Sequence, residues 1–335
     1  MSDILTKKFQ GRVQKAEEVE PSKHWATGNI GLDWLMSGGI PQGRSIEFWG
    51  EESAGKTTTA LECSRPFLEN GYQVLIVDAE RTVTKNDFQR LGLEGYEGLY
   101  QGRPNSGEEG IDMICSALDE GFALVIIDSV PALVPEGKEE KMEKDSNASS
   151  MGDESAMWSR NGSKIVKRLD MATIVKEDGQ EDPANKPSVL FLNQARDNVS
   201  SPMGGKKTFG GRWLLHHFAV RVNLTLVRKA ADKETAGRRV LYTINKNKEG
   251  DPSRTLEAQI LPSGIDQYDL LIRFGKESGD IIQSGSHYKL SEAAASALNK
   301  NVKLGHGAKQ VYATFEDDPD FYKALYNRIK ESIND

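Results

Sequence analysis

The chain has 335 residues and a formal net charge of −7 at pH 7, from 43 Lys and Arg against 50 Asp and Glu. This length predicts about two domains, and no apolar run approaches the ~18 residues that a membrane span needs. The charge excludes a chain that is basic throughout, although a local cationic groove would still allow nucleic-acid binding. The first residues lack the apolar block of a secretory signal, and Cys63 and Cys115 fall in predicted helices as reduced packing residues. We therefore expect a cytoplasmic protein.

The N-terminal segment, 1–24, has the pattern of an amphipathic helix followed by a polar linker. Leu5, Phe9 and Val13 recur every four residues, which is the spacing of one helix face. This apolar stripe either packs on its own domain or docks on a neighbouring subunit, and the residues themselves leave both alternatives open.

From residue 25 onward the sequence alternates between strand and helix patterns. Four continuous apolar runs, rich in β-branched residues, are typical of strands that are buried on both faces of a sheet. They lie at 45–49, 73–80, 122–128 and 188–194. Helical patterns separate them, which predicts an α/β fold with a mostly parallel central sheet covered by helices. We assign this core to residues 25–275.

The remaining segments extend or interrupt the core. Two alternating strands are predicted at 221–229 and 239–246, and short helices with glycine turns indicate a small C-terminal α+β domain over 276–335. Two polar segments, at about 136–156 and 195–211, are too rich in Lys, Ser, Asn and Gly to build a core. Loops of this length inside a compact domain are usually functional or disordered.

The segment that follows the first predicted strand has the phosphate-binding pattern G-x-x-x-x-G-K-[ST]. Its residues are Gly50, Glu51, Glu52, Ser53, Ala54, Gly55, Lys56 and Thr57, with Thr58 next in the predicted helix. Backbone N–H groups freed by the glycines, together with the positive end of the helix, can surround an anionic phosphate. Lys56 supplies a cation for the terminal phosphates, and Thr57 supplies a hydroxyl for Mg²⁺. The pattern therefore predicts a nucleotide site that uses Mg²⁺.

Polar residues at the ends of three further strands are expected to complete this site. Ligands gather at the carboxyl ends of parallel strands, where the sequence places Glu80, Asp128 and Gln194. Asp128 can hold the metal ion through water, while Thr57 binds it directly. Glu80 is the best-placed base to orient water at the γ-phosphate. Any one of these residues could instead cap a helix, but their convergence on one edge favours a catalytic site.

In this order the motifs resemble those of bacterial RecA recombinases. The matching segments are 27–33, 38–44, 50–58, 77–80, 127–130, 192–194, 210–211 and 246–248. The resemblance covers the chain from about residue 25 to the C-terminus. It implies a RecA-like P-loop NTPase core that binds ATP and Mg²⁺ and forms helical filaments on single-stranded DNA. It also implies pairing with homologous double-stranded DNA and strand exchange, with DNA-dependent ATP hydrolysis.

The resemblance further implies roles for residues around the nucleotide. Glu80 matches the catalytic glutamate of the family, and Gln194 matches the residue that senses the γ-phosphate. Lys246 and Lys248 match the pair that reaches across a subunit interface to a neighbour's ATP, in the manner of an arginine finger. Tyr268 matches an aromatic residue that caps the nucleotide base.

The two polar segments match the family's DNA-binding loops. The positions of Met151 and Val199 are those of apolar side chains that wedge between base triplets, while the basic residues are expected to pair with phosphates. The implied DNA-binding residues are Met151, Arg160, Arg196, Val199, Lys206, Lys207 and Arg212.

Several positions depart from the family's pattern. An aromatic residue expected beside the adenine is replaced by Asp87, with Phe88 next to it, so base contact is expected to differ there. An arginine position of the first loop is Ala156, and Arg160, one helical turn on, is the candidate substitute. The strand that should follow the N-terminal helix is not evident, which leaves the apolar stripe of that helix as the candidate docking face. Such drift suits a phage-encoded member.

Two other functions use the same kind of nucleotide-binding core. A hexameric helicase would carry a separate N-terminal domain and form closed rings, whereas only a short segment precedes the predicted core here. A regulatory ATPase that acts without DNA would not need two long loops with Lys206, Lys207 and Arg212. These features favour the recombinase.

Overall fold

A computed structural model of the chain describes residues 17, 20–136, 151–197, 206–227 and 237–334. The predicted N-terminal helix with Leu5, Phe9 and Val13 lies outside these residues. So do most of the first predicted loop and Val199 in the second.

The described strands are β1 (His24–Trp25), β2 (Ile40–Pro41), β3 (Ser45–Gly50), β4 (Val74–Asp78), β5 (Leu99–Gly102), β6 (Leu124–Asp128), β7 (Ile174–Val175), β8 (Glu181–Asp182), β9 (Ser188–Gln194), β10 (Arg196–Asp197), β11 (Lys206–Lys207), β12 (Phe218–Leu226), β13 (Arg238–Asn247), β14 (Thr255–Leu261), β15 (Gly264–Ile265), β16 (Ile281–Ser284), β17 (His287–Leu290) and β18 (Lys303–His306).

The described helices are α1 (Ile30–Leu35), α2 (Lys56–Glu69), α3 (Lys85–Arg90), α4 (Gly107–Asp119), α5 (Met151–Met171), α6 (Gly211–His217), α7 (Gln267–Glu277), α8 (Glu292–Leu298), α9 (Ala308–Asp317) and α10 (Pro319–Asn334). None of them is long and apolar enough to cross a membrane.

Nine of these strands form one mixed sheet at the centre of the described structure. Their order is β5-β4-β6-β9-β3-β12-β13-β14-β15. The six strands from β5 to β12 run parallel to one another, and β13, β14 and β15 continue the sheet antiparallel. The predicted α/β fold with a mostly parallel central sheet is therefore confirmed. Its parallel part brings the carboxyl ends of β3, β4, β6 and β9 to one edge.

Both faces of the inner parallel strands, such as β6, are buried. Ile126 of β6 belongs to one apolar cluster, whereas its neighbours Val125 and Ile127 belong to a second cluster on the other face. The first cluster includes Cys63 of α2 and the second includes Cys115 of α4, and both cysteines are buried and free, as predicted. Burial on both faces is the physical reason why these strands are continuous apolar runs in the sequence.

Both predicted loops contain regular structure at their ends. Helix α5 begins at Met151, inside the first predicted loop, and the strands β10 and β11 form a short antiparallel hairpin inside the second. Met157 and Trp158 of α5 are buried, so the helix carries an apolar face close to its start. Residues 151–156 of the predicted loop therefore belong to a helix that packs on the core.

The C-terminal residues form a second, three-stranded sheet, β16-β17-β18, with α8, α9 and α10 beside it. Leu290 and Phe315 join the same apolar cluster as the central sheet. Lys330 of α10 pairs with the buried carboxylate of Asp33 in α1 at 2.6 Å. The domain boundary predicted at residue 275 falls within α7 and stays a prediction.

Candidate active site

The P-loop joins β3 to α2 at the carboxyl edge of the sheet. A Cβ atom at Gly50 would collide with the backbone oxygen of Leu224 on the adjacent strand β12, so a side chain does not fit there. Gly55 has a φ of 89°, in the left-handed region that favours glycine, and it directly precedes the first residue of α2. The two glycines thus let the chain fold back over the helix N-terminus, where backbone N–H groups lack partners within the helix.

Lys56 lies across this loop. Its Nζ donates hydrogen bonds to the backbone oxygens of Gly50 (3.1 Å) and Glu51 (2.7 Å). Burial lowers the pKa of Lys56, and the nearby carboxylates of Asp128 and Glu80 oppose this effect. Carbonyl oxygens hold the ammonium group where phosphate oxygens can replace them.

Thr57 and Asp128 form the second part of the site. The Thr57 hydroxyl donates a 2.7 Å hydrogen bond to Oδ2 of Asp128, which is buried at the end of β6. Burial raises the pKa of Asp128 to about 6, with the hydrogen bond from Thr57 opposing the rise and the charge of Glu80 adding to it.

This pair fits a magnesium ion. Hydroxyl and carboxylate oxygens are ligands that Mg²⁺ prefers, and Mg²⁺ usually takes its other ligands from phosphates and water. In the described ranges no group of three or more His, Cys, Asp or Glu side chains could hold a metal ion. Thr57 and Asp128 would supply two oxygen ligands, and a nucleotide and water would supply the others.

Glu80 lies just beyond β4 and is held by two neighbouring strand ends. Its Oε1 accepts a hydrogen bond from Nε2 of Gln194 (3.0 Å) and another from the hydroxyl of Ser129. Its backbone N–H donates to the backbone oxygen of Asp128 (3.1 Å). Ser129 is not among the predicted site residues, although it directly follows Asp128 and lies in the matching segment 127–130.

Gln194 and its neighbour Asn193 connect this carboxylate to the second loop. Asn193 donates from Nδ2 to Glu47 (2.8 Å) and to the backbone oxygen of Phe209 (3.1 Å), and its Oδ1 accepts from the backbone N–H of Phe209 (3.2 Å). The guanidinium of Arg196 lies 4.3 Å from the centre of the Phe209 ring. Both ends of the loop are thus anchored at the end of β9.

Three of the predicted DNA-binding cations, Arg196, Lys206 and Lys207, lie in this hairpin, and Arg160 and Arg212 lie in helices. Lys206 of β11 forms an ion pair with Glu51 of the P-loop, and Lys207 is opposite Arg196 in the hairpin. Arg212 is exposed on α6, and Arg160 is exposed on α5.

The helices α5 and α6 pack closely against each other, since a Cβ atom at Gly162 of α5 would collide with the ring of Trp213 in α6. Arg160 and Arg212 therefore belong to adjoining elements. Of the residues predicted to wedge between bases, Met151 is the first residue of α5, and Val199 is outside the described residues.

Lys246 and Lys248 contact the end of α6 within the protomer. Nζ of Lys246 donates to the backbone oxygens of Leu215 (2.9 Å) and His216 (3.1 Å), and Nζ of Lys248 donates to that of His216 (3.3 Å). Burial, and then the charge of Lys248, lower the pKa of Lys246. The structure of one protomer therefore joins these lysines to α6, and the predicted contact with a neighbour's nucleotide stays a prediction.

Tyr268 lies in a cluster of aromatic rings formed by α7, α9 and α10. Its ring centre is 5.3 Å from those of Tyr312 and Tyr322, and it lines a cavity of about 670 Å³ together with Glu62. The role predicted for it, as a cap on the nucleotide base, stays a prediction.

A separate cavity of about 330 Å³ adjoins the P-loop. Two arginines that were not singled out in the sequence reach it. Nη1 of Arg238 donates to the backbone oxygen of Ser53 in the P-loop (2.8 Å), and Arg90 donates to Thr58 (3.1 Å). No motif marks either residue, because both reach the P-loop from distant parts of the chain. The described residues that line the cavity are Gly55, Thr58, Arg90, Arg238, Val240, Ile260, Leu261 and Pro262.

A P-loop at the edge of a parallel sheet, a hydroxyl and acid pair beside it and a glutamate on a further strand define a P-loop NTPase. The family model of the RecA N-terminal domain matches residues 6–266. The Protein RecA of Chlorobium chlorochromatii (strain CaD3) is 30% identical over 311 residues, which cover 91% of this chain and 81% of the relative. The Protein RecA of Streptomyces ambofaciens is 29% identical over 319 residues, covering 94% and 79%. The chain belongs to the RecA family of recombinases.

Proposed function

We propose that this RecA-family recombinase is a DNA-dependent ATPase that assembles into helical filaments on single-stranded DNA. In these filaments it pairs the strand with homologous double-stranded DNA and exchanges strands. The observation that carries the proposal is the 3.0 Å hydrogen bond between Glu80 and Gln194. This bond joins the carboxylate at the proposed ATP site to the residue that precedes the hairpin β10–β11. One contact therefore links the proposed ATP site to the proposed DNA-binding loop.

Lys56, Thr57 and Asp128 bind the nucleotide and its metal ion in this proposal. Lys56 would hold oxygens of the terminal phosphates, while Thr57 would hold Mg²⁺ directly and Asp128 would hold it through water. When bound there, the ion would neutralise charge on the phosphate oxygens. The hydrogen bond between Thr57 and Asp128 (2.7 Å) supports these roles, because it holds both oxygens on one side of the P-loop.

Glu80 orients the attacking water. Its Oε1 is engaged by Ser129 and Gln194, while its Oε2 has no hydrogen-bond partner among the described residues. A carboxylate that is fixed through one oxygen can accept a proton from water with the other. The contacts around Glu80 therefore support a positioned base rather than a metal ligand.

Lys246 and Lys248 act on the nucleotide of a neighbouring subunit. Each of them contacts only backbone oxygens of α6 in the bonds described for the protomer, and phosphates are stronger partners for an ammonium group than carbonyl oxygens are. Charge supplied across an interface stabilises the transition state of phosphoryl transfer. Hydrolysis would then depend on assembly.

The second loop binds DNA through its cations. Arg196, Lys206 and Lys207 at its base and Arg212 beyond it pair with phosphates, which gives affinity without sequence preference. Arg160 on the adjoining helix α5 adds to this surface. The apolar wedges between bases are the two residues predicted for that role, Met151 and Val199.

Electron microscopy with single-stranded DNA and a slowly hydrolysed ATP analogue tests the proposal. We expect open helical filaments that require both the DNA and the analogue. Closed rings would favour the helicase, and protomers that ignore DNA would favour the regulatory ATPase. Either result would contradict the recombinase filament.

A further inference from the structure

Arg90, at the end of α3, is fixed on three sides. Its Nε donates to Oδ1 of Asp87 (3.1 Å), its Nη1 to the backbone oxygen of Pro262 (3.0 Å) and its Nη2 to the hydroxyl of Thr58 (3.1 Å). Asp87 is itself held, because its Oδ2 accepts from the backbone N–H (2.9 Å) and hydroxyl (2.7 Å) of Thr84. A long side chain on the protein surface thus has a single, well-defined position.

The position of Arg90 is at the cavity of about 330 Å³ that adjoins the P-loop. Thr58 lies in the first turn of α2, next to Thr57 of the metal-binding pair, and Gly55 of the P-loop lines the same cavity. If the terminal phosphate of a bound nucleotide points to Glu80, its nucleoside lies at the opposite end of the P-loop. The cavity beside Gly55 and Thr58 has the volume expected for a small-ligand pocket and is suited to the nucleoside.

No aromatic side chain is found among the described residues that line this cavity. Its lining among the described residues consists of aliphatic side chains, Pro262, Gly55, Thr58 and the arginines Arg90 and Arg238. Phe88, the aromatic residue next to Asp87, lines a different cavity with Leu93 and Tyr96. Among the described residues that line this cavity, the planar side-chain groups are the guanidinium groups of Arg90 and Arg238.

We propose that the guanidinium of Arg90 is the platform on which the nucleobase stacks, an inference that rests on the proposed ATP site. The edge of the guanidinium is occupied by Asp87, Pro262 and Thr58, so its planar face is the part that remains for a ligand. A guanidinium stacks on aromatic rings through both its plane and its charge. The guanidinium of Arg90, held in place by its hydrogen bonds, would thus replace an aromatic ring as the stacking surface.

This platform has a consequence for specificity. Every base presents a π-face, so stacking alone discriminates weakly between adenine and guanine. The N–H groups of the guanidinium lie in its plane and are engaged by Asp87, Pro262 and Thr58, so they do not distinguish the edges of the two purines. We therefore expect GTP to bind about as well as ATP, and pyrimidine nucleotides to bind more weakly because their rings are smaller.

The test compares the binding of ATP and inorganic tripolyphosphate, with Mg²⁺, to the full chain and its variants. Arg90→Ala should weaken ATP binding roughly 5- to 30-fold, the effect expected for removal of a cation–π interaction, and should leave tripolyphosphate binding unchanged. Arg90→Lys keeps the charge but not the plane and should bind ATP as weakly as Arg90→Ala. Arg90→Tyr keeps a plane and should bind ATP nearly as well as the parent. Lys85→Ala, on the same helix but outside this cavity, is the matched control and should behave as the parent.

Equal weakening of ATP and tripolyphosphate binding in Arg90→Ala would overturn the inference, because Arg90 would then act on phosphates. So would full ATP affinity in Arg90→Lys, or strong selection of ATP over GTP by the parent. Tripolyphosphate binding reports that the P-loop of each variant is folded. A parent chain that binds neither ligand would instead contradict the proposed ATPase itself.

Discussion

Oε1 of Glu80 accepts a hydrogen bond of 3.0 Å from Nε2 of Gln194, across the end of the intervening strand β6. The same Gln194 is the last residue of β9, and the hairpin β10–β11 starts two residues later. The γ-phosphate of ATP would offer Nε2 of Gln194 a second anionic acceptor besides the carboxylate of Glu80. Binding ATP would therefore change the hydrogen bonding of the residue that leads into the loop that we propose binds DNA.

Glu80→Gln should keep ATP and DNA binding but reduce turnover by at least ~10², the low end for a positioned base. The amide retains the shape of the side chain but cannot accept a proton from water. Steady-state ATP hydrolysis with saturating single-stranded DNA measures the reduction. Glu94→Gln, which alters an exposed carboxylate paired with Lys85, is the control and should hydrolyse ATP normally. Normal turnover in Glu80→Gln would remove Glu80 from the hydrolytic site.

Asp128→Asn should stabilise the fold at neutral pH. The pKa of Asp128 rises from its ordinary value of 3.8 to about 6 in the folded chain, so the folded state binds the proton more tightly than the unfolded state does. The contribution of Asp128 to stability is therefore largest below pH 3.8 and disappears as pH rises through 6. The change amounts to roughly 3 kcal/mol.

Urea unfolding of the parent and Asp128→Asn at several pH values between 4 and 8 measures this difference. The free energy of unfolding of the variant should increase relative to that of the parent as pH rises through 6. This difference should level off above pH 7. An advantage that does not change with pH would show that Asp128 is not the titrating group. The variant should also bind Mg²⁺ and ATP more weakly at pH 7, since an amide is a poorer ligand than a carboxylate.

Subunits that lack the lysine pair should be rescued by subunits that lack the glutamate. Lys246→Ala/Lys248→Ala and Glu80→Gln should each hydrolyse ATP poorly alone. In mixed filaments some interfaces combine an intact Glu80 with intact lysines of the neighbour, so the mixture should exceed the sum of its separate activities. A mixture that only equals that sum would argue against action across the interface.

Unfolding of the double lysine variant provides the control for this experiment. Both lysines donate hydrogen bonds to backbone oxygens at the end of α6, and a cation at a helix C-terminus contributes about 0.3–1 kcal/mol. A destabilisation of that size leaves the protomer folded, so poor hydrolysis by the variant would not be the result of unfolding.

Lys206→Ala/Lys207→Ala should weaken binding to single-stranded DNA and flatten the plot of log affinity against log salt. The slope should fall by up to ~1.4, at about 0.7 for each phosphate that is no longer neutralised. Val199→Ala should leave the slope unchanged while reducing strand exchange, because an apolar wedge releases no counterions. Lys206 is paired with Glu51 in the protomer, so Glu51→Gln should strengthen DNA binding at low salt. A slope that is unchanged in the double lysine variant would exclude these lysines from the DNA surface.

Much of the fold follows from sequence patterns that have one physical cause. The runs predicted at 73–80 and 122–128 contain β4 (Val74–Asp78) and β6 (Leu124–Asp128), because strands buried on both faces are apolar along most of their length. Strand β5 (Leu99–Gly102), at the edge of the sheet, was not predicted. None of its residues is fully buried, so it lacks the continuous apolar signal.

The part of the site that the sequence did not predict depends on contacts between distant segments. Glu80, Asp128 and Gln194 could be placed because strand ends converge on one sheet edge. Arg90 could not, because its hydrogen bond to Pro262 joins residues 172 positions apart and no motif spans that distance. Likewise, only the folded chain places Tyr268 among the rings of α9 and α10.

The affinity for single-stranded DNA, measured with a slowly hydrolysed ATP analogue and with ADP, tests most directly whether the ATP site controls the DNA loop. The parent should bind DNA roughly 5- to 150-fold more tightly with the analogue, the usual range of coupling between two sites. Gln194→Ala should still bind the nucleotides but should no longer show this ratio. Equal DNA affinities in the parent with the two nucleotides, or an intact ratio in Gln194→Ala, would contradict the account.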